Sequence, residues 1–213
     1  DLYHEATPFF FALTKEDDIN NTLFWEWDVD PLTRKVIVPE RDLDEIAEEM
    51  TRKDITEHIL QNAKYDVTGM AKLGLWNRVH LPSVWGKIRD TLRAGHLLAS
   101  KQLRDLTTLC LVYLGVNIKP WEADLHQACI EARRVAQREF PDWAIAKKVT
   151  KGLPSAGSED GLYKNDYWLP RAVAKALNYS PEHPWWTVLA EYACPDSSVI
   201  LPLYAVMEKL IKE

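Results

Sequence analysis

Cysteine is scarce in this sequence, and its scarcity narrows the field. Cys110, Cys129 and Cys194 make an odd set of three, and none belongs to a Cys-x-x-Cys pair. Neither a disulfide framework nor a structural zinc site is indicated, and a reducing, cytoplasmic setting is expected. No apolar run approaches the roughly 20 residues needed to cross a bilayer, so no membrane partner is expected. The opening, Asp1-Leu2-Tyr3-His4-Glu5, has no basic segment leading into an apolar one, so no signal peptide is visible. It also lacks an initiator Met, the expected mark of a processed, excised or truncated chain. Positive charge is short as well: 26 Lys and Arg against 32 Asp and Glu give a net charge of −6. Proteins that coat duplex DNA are usually basic, so the balance counts against that role. It leaves room for an enzyme that grips only a strand end, because bound metal ions reverse the local field of acidic residues.

Apolar side chains are plentiful, at 46% of 213 residues, enough to bury the core of one large domain. The first third reads as β-rich. Phe9 to Leu13 is an apolar run after Pro8, and residues 17–21 look like a turn. Thr22 to Val29 alternates with period two, and Val36-Ile37-Val38 is a short extended segment. From Leu43 the period becomes helical, with Leu43, Ile46, Ala47 and Met50 on one face. Ile59-Leu60 leads into a helix ending near Gly74, and Trp85 to Arg89 reads as a short strand. Helices are then expected over residues 92–98, over residues 103–113 with a stop at Gly115, and from Trp121 to Phe140. A Gly/Ser/Pro-rich loop at residues 152–161 and helices over 169–177 and 182–213 complete the pass. Strands first, strand–helix alternation next and helices last indicate an α/β or α+β layer fold.

Two short segments carry chemistry. In Gln61-Asn62-Ala63-Lys64-Tyr65-Asp66, Asn62 and Asp66 are four apart at the opening of a helix and share its face. In Tyr192-Ala193-Cys194-Pro195-Asp196, Tyr192 and Asp196 have the same spacing. Taken singly, a solvated Asp66 and a core Tyr192 are the commoner explanations. A third segment adds order: Asp90-Thr91 follows Ile88-Arg89, and Leu103 to Gly115 ends in Leu114-Gly115. The series Asn-x-x-x-Asp, Asp-Thr, Leu-Gly and Tyr-x-x-x-Asp resembles the tyrosine branch of the DEDD exonuclease superfamily. The nearest likeness is to the 3′→5′ proofreading domain of family A DNA polymerases, of the bacterial polymerase I type and its phage relatives. Trp185-Trp186, shortly before Tyr192, also resembles the phage members. The resemblance spans about residues 8–213 and is thin over 117–170, which looks like a helical insertion or a divergent part of a single domain.

The resemblance implies an RNase H-like mixed central sheet flanked by helices, with a helical C-terminal half. It implies two-metal-ion phosphodiester hydrolysis at a single-stranded DNA 3′ end, with Mg²⁺ or Mn²⁺ as cofactor and a polymerase domain of the same parent chain as partner. Hard cations of this kind prefer oxygen ligands. By similarity, Asp66 and Asp196 are metal-binding carboxylates, Tyr192 orients the attacking water, and Asn62 touches the terminal nucleotide or supports the site. Asp90 is a strand-end or second contact to the nucleic acid. A tyrosine titrates near pH ~10, so Tyr192 would position water rather than deprotonate it. A bacterial or phage-infected cell is the implied setting.

The family's first motif, Asp-x-Glu on the first strand, is absent. Asp1 and Glu5 would lie about 13 Å apart along a strand, too far for one metal pair. Asp28-Val29-Asp30 has the spacing but ends a later strand beside Pro31, and reads as a turn. Either the missing strand lies upstream in the parent gene, or the domain is a degenerate, nucleic-acid-binding scaffold; a ribonuclease D type RNA-trimming enzyme is the third alternative. This chain alone is expected to be inactive or impaired. Pro195 either opens the last helix or kinks it between Tyr192 and Asp196. The six histidines, His126 among them, give no metal-ligand spacing, and Ser155 no nucleophile pattern. Lys147, Lys148 and Lys151, like Arg133-Arg134, read as solvated faces.

Overall fold

The chain is an α/β protein in which helices predominate over small sheets. The computed structural model describes residues 7–16, 18–79, 84–101, 105–143 and 166–213. His80, Leu103, the 152–161 loop with Ser155, and Lys147, Lys148 and Lys151 lie outside the described residues. Among the described residues the strands are β1 (Phe10–Lys15), β2 (Asp18–Glu26), β3 (Asp28–Val29), β4 (Val36–Ile37), β5 (His58–Leu60) and β6 (Ile88–Asp90). The helices are α1 (Glu40–Thr51), α2 (Ala63–Lys72), α3 (Thr91–Leu98), α4 (Leu106–Leu114), α5 (Lys119–Glu139), α6 (Leu169–Ala176) and α7 (Val188–Lys212). The strands pair two by two, β1 with β2, β3 with β4, and β5 with β6.

Two compact units emerge, each drawn from three stretches of chain. One comprises Phe11–Trp25, Val38–Lys119 and Cys194–Glu213. Its β5 and β6 run parallel, with Leu60 opposite Asp90. The helix α1 buries Leu43, Ile46, Ala47 and Met50, the four positions that helical spacing selects. Glu40 and Asp42 stand in its first turn, where the helix dipole favours negative charge. Asp105 caps α4 by accepting the Thr108 N–H at 2.9 Å, and Gly115 ends that helix in the left-handed conformation at φ 70°. Two sequence expectations are corrected in this unit. Residues 18–21 belong to β2 rather than to a turn, because the hairpin's backbone pairing carries polar, exposed residues past the core. Trp85 is not in a strand: it is 59% exposed, and β6 begins at Ile88.

The second unit contains the described residues up to Phe10 together with Glu26–Ile37 and Pro120–Ala193. In it β3 and β4 are antiparallel, with Asp28 opposite Ile37. Asp30 closes the connection by accepting the N–H groups of Leu32 and Thr33, each at 2.8 Å, so the Asp-Val-Asp segment does end in a turn. On α5 the buried face is Leu125, Ala128, Cys129, Ala132 and Ala136, mostly small side chains that permit close packing. On α6 it is Leu169, Pro170, Val173 and Ala174. Arg171 and Lys175, one turn apart on α6, pair with Glu26 at 3.3 Å and with Asp28 at 2.5 Å.

Candidate functional site

The parallel pair β5–β6 ends in a corner from which two helices start. Leu60 and Asp90 are in register at the strand ends, α3 begins immediately after Asp90, and α2 begins three residues after Leu60. Asn62, the residue before α2, is left-handed at φ 59° and ψ 58°, a conformation that Asn tolerates better than most side chains. The carboxylate of Asp90 holds this corner together. Its Oδ1 accepts the N–H of Asn62 at 3.0 Å and that of Leu92 at 2.9 Å, and its Oδ2 accepts the N–H of Ala63 at 3.2 Å. One side chain thus satisfies orphan donors at the start of two helices. Beside it the fully buried Thr91 donates from its hydroxyl to the Leu60 carbonyl at 3.1 Å and also meets Gln61.

Asp66 stands in the first turn of α2, half-buried and within range of Asp90. Burial first, and then the negative charge of Asp90, push its carboxyl up to about 7. Asp196 is half-buried on α7 in the same unit, and its neighbour is Cys110. Burial first, and the charge of Asp196 second, raise the Cys110 thiol to about 11, so Cys110 is an inert core thiol.

Tyr192 belongs to the other unit, although it precedes Asp196 by four residues on the same helix. Pro195 neither starts nor ends that helix: α7 runs unbroken from Val188 to Lys212, with Pro195 and Pro202 inside it. The hydroxyl of Ser198 donates to the Pro195 carbonyl at 3.0 Å. The ring of Tyr192 lies 6.1 Å from that of Tyr167 at an interplanar angle of 53°. The Tyr167 hydroxyl is in turn hydrogen-bonded to His126 Nε2 at 2.9 Å.

The corner therefore unites Asn62, Asp66 and Asp90, three residues that the resemblance names. Asp90 has an architectural role there, since its oxygens accept three backbone N–H groups at the starts of two helices. No protein-family model matches the chain. No curated protein and no solved structure matches it either.

The donor set decides how far a two-ion centre fits. Among the described residues no three His, Cys, Asp or Glu side chains come close enough to share a cation. Among the described residues the carboxylate that acts on Asp66 is Asp90, which already accepts three backbone N–H bonds. A metal pair needs several unsaturated oxygen ligands. The described residues do not fit one.

Sequence reasoning missed two kinds of residue. Glu26 leaves no motif: its side chain is 8% exposed, and burial, opposed by Arg171 and reinforced by Asp28, moves its carboxyl up to about 7. Its signal was the alternation Glu26-Trp27-Asp28, which puts both carboxylates on one side of an extended segment. His126 and Tyr167 are 41 residues apart, and no local pattern joins them.

Proposed function

We propose that this chain is a 3′→5′ exonuclease-type domain of a family A DNA polymerase, RNase H-like in fold, that takes a single-stranded DNA 3′ end. In this reading it does not hydrolyse the strand by itself. The observation that carries the proposal is the β5–β6 corner. Asn62 and Asp66 open a helix at the carboxyl end of a parallel strand, and the Asp90-Thr91 pair at the end of the neighbouring strand holds the backbone of Leu60, Asn62 and Ala63 that leads into it. Ligands of open α/β sheets bind at the carboxyl ends of parallel strands. The ordered motifs through Tyr192 and Asp196 supply the family, and the lack of three grouped His, Cys, Asp or Glu side chains among the described residues favours binding without cleavage.

In this reading Asn62 and Asp66 face the terminal nucleotide, and Tyr192, by the resemblance alone, contacts the strand-end phosphate. Mg²⁺ or Mn²⁺ chemistry needs carboxylates beyond those described. The test uses labelled DNA and RNA single strands with the whole chain, in Mg²⁺ and in Mn²⁺. DNA is expected to bind without shortening. Shortening that Asp66→Ala or Asp196→Ala abolishes would replace this reading with an active nuclease. Preferential binding and trimming of RNA would favour the ribonuclease D type. No binding of either polymer would overturn the nucleic-acid reading altogether.

A further inference from the structure

The aromatic contacts around Tyr192 form a chain of three rings. Tyr192 is half-buried on α7, and the Tyr167 ring leans on it at 6.1 Å. A ring contact alone fixes little, because phenol rings turn about their own axes. Here the Tyr167 ring is itself tied. Its hydroxyl meets His126 Nε2 at 2.9 Å, and the two rings are 5.7 Å apart. His126 sits on α5, one residue from the fully buried Leu125, and the backbone of a long helix fixes its place.

Both flanks of Tyr167 are anchored too. The Asp166 carbonyl accepts the Leu169 N–H at 2.8 Å and faces the buried Cys129 thiol at 3.9 Å. Burial, then the charge of Asp166, pushes that thiol up to about 12, so it stays protonated and able to donate. Trp168, on the other flank, is buried, and Arg34 lies 4.7 Å from its ring centre. Tyr167 thus loses little further freedom when it supports a neighbour, which is what preorganisation requires.

We infer that His126 and Tyr167 are positioning residues that hold the Tyr192 phenol at the angle a strand-end phosphate needs. The inference rests on the proposed role of Tyr192. It adds two residues from the stretch least like the family, and makes those two positions part of the site's support.

Its test separates the latch from the function. 3-Fluorotyrosine is placed at position 192, and its ¹⁹F resonance is followed in the whole chain. Binding is measured as the preference for a linear single strand with a free 3′ end over a circular strand of the same composition. Tyr167→Phe keeps the ring and removes the hydroxyl, His126→Leu removes the ring nitrogens, and His126→Gln keeps a hydrogen-bonding end. Tyr167→Phe and His126→Leu are expected to shift or broaden the ¹⁹F signal and to lower the end preference about fivefold, the equivalent of one hydrogen bond. Tyr192→Phe should lower it equally, and His126→Gln should restore much of it. An unmoved ¹⁹F signal in a folded Tyr167→Leu protein overturns the latch itself. A signal that moves as expected, with end preference untouched in Tyr192→Phe, leaves the latch standing but overturns both its positioning role and the assignment of Tyr192.

Discussion

Asp90 shows how one carboxylate can look functional in the sequence and act architecturally in the structure. Its three backbone N–H bonds replace the water that helix termini would otherwise recruit. Removing the acceptor leaves those donors unpaired in a half-buried corner. Asp90→Ala is therefore expected to cost about 3 kcal/mol in urea unfolding, from a lost helix cap plus charge-assisted bonds. Asp90→Asn keeps one oxygen and should cost about half as much. It also removes the negative charge that helps raise Asp66, so the Asp66 carboxyl should titrate lower in that variant by ¹³C NMR. Equal costs for the two substitutions would show that the N–H bonds are not what Asp90 contributes. The site was legible in part because Asn62, Asp66 and Asp90 are short-range signals, four residues apart or at a strand end. His126 and Tyr167 were not, since only the tertiary fold brings them to each other.

Among the elements, helices were the most legible. The spacing of Leu43, Ile46, Ala47 and Met50 marks the buried face of α1, and Gly115 stops α4 through a left-handed conformation that side chains resist. Strands were less so. In β2 a polar stretch is extended because its partner strand holds it, a cause invisible to local pattern. Pro195 and Pro202 would end most helices, yet α7 continues through both because its faces are buried at Ala193, Val199, Leu203 and Met207. The packing of α3, α4 and α7 rests on a missing side chain. A Cβ on Gly95 would meet Leu109 Cδ2 at 2.9 Å and Met207 Cε at 3.4 Å. Leu109 and Met207 are themselves almost wholly buried, so their ends can yield only by repacking against other core side chains. Alanine normally gains about 1 kcal/mol over glycine inside a helix, and overpacking costs roughly 1–3 kcal/mol. Gly95→Ala should therefore be destabilising by about 1 kcal/mol in chemical denaturation. Combined with Leu109→Val, which shortens the obstructing side chain, it should cost less than the sum of the two single changes. Strict additivity would place the clash elsewhere.

At the scale of the whole molecule, each unit holds a carboxyl that burial pushes toward neutrality, Asp66 in one and Glu26 in the other. Both are raised to about 7, well above the usual carboxylate range. The folded chain therefore binds these protons more tightly than the unfolded chain does. Between roughly pH 4 and pH 7 folding takes up protons, and stability falls as pH rises through that window. Other groups act in the opposite sense. Burial first, and Lys87 second, hold His58 below the usual histidine range, so its contribution improves as pH rises through the middle of the window. Asp30, Glu49 and Asp105 are held below their usual range, and their contributions are lost only as the solution becomes more acid. The comparison that isolates the two buried carboxyls is the wild type against Asp66→Asn combined with Glu26→Gln. Each amide keeps the volume and removes the titration. Going from pH 5 to pH 8, the wild type should lose on the order of 1–3 kcal/mol more unfolding free energy than the double variant, a range that discounts Asp66 for its half-exposure. The single variants should each account for part of the difference, and they should add, because the two sites lie in separate units and share no partner among the described residues. Parallel pH profiles for wild type and double variant would mean that both carboxyls ionise at ordinary pH in the folded chain. The burial of Asp66 near Asp90, and that of Glu26 against Arg171, would then have to be looser than in this structure.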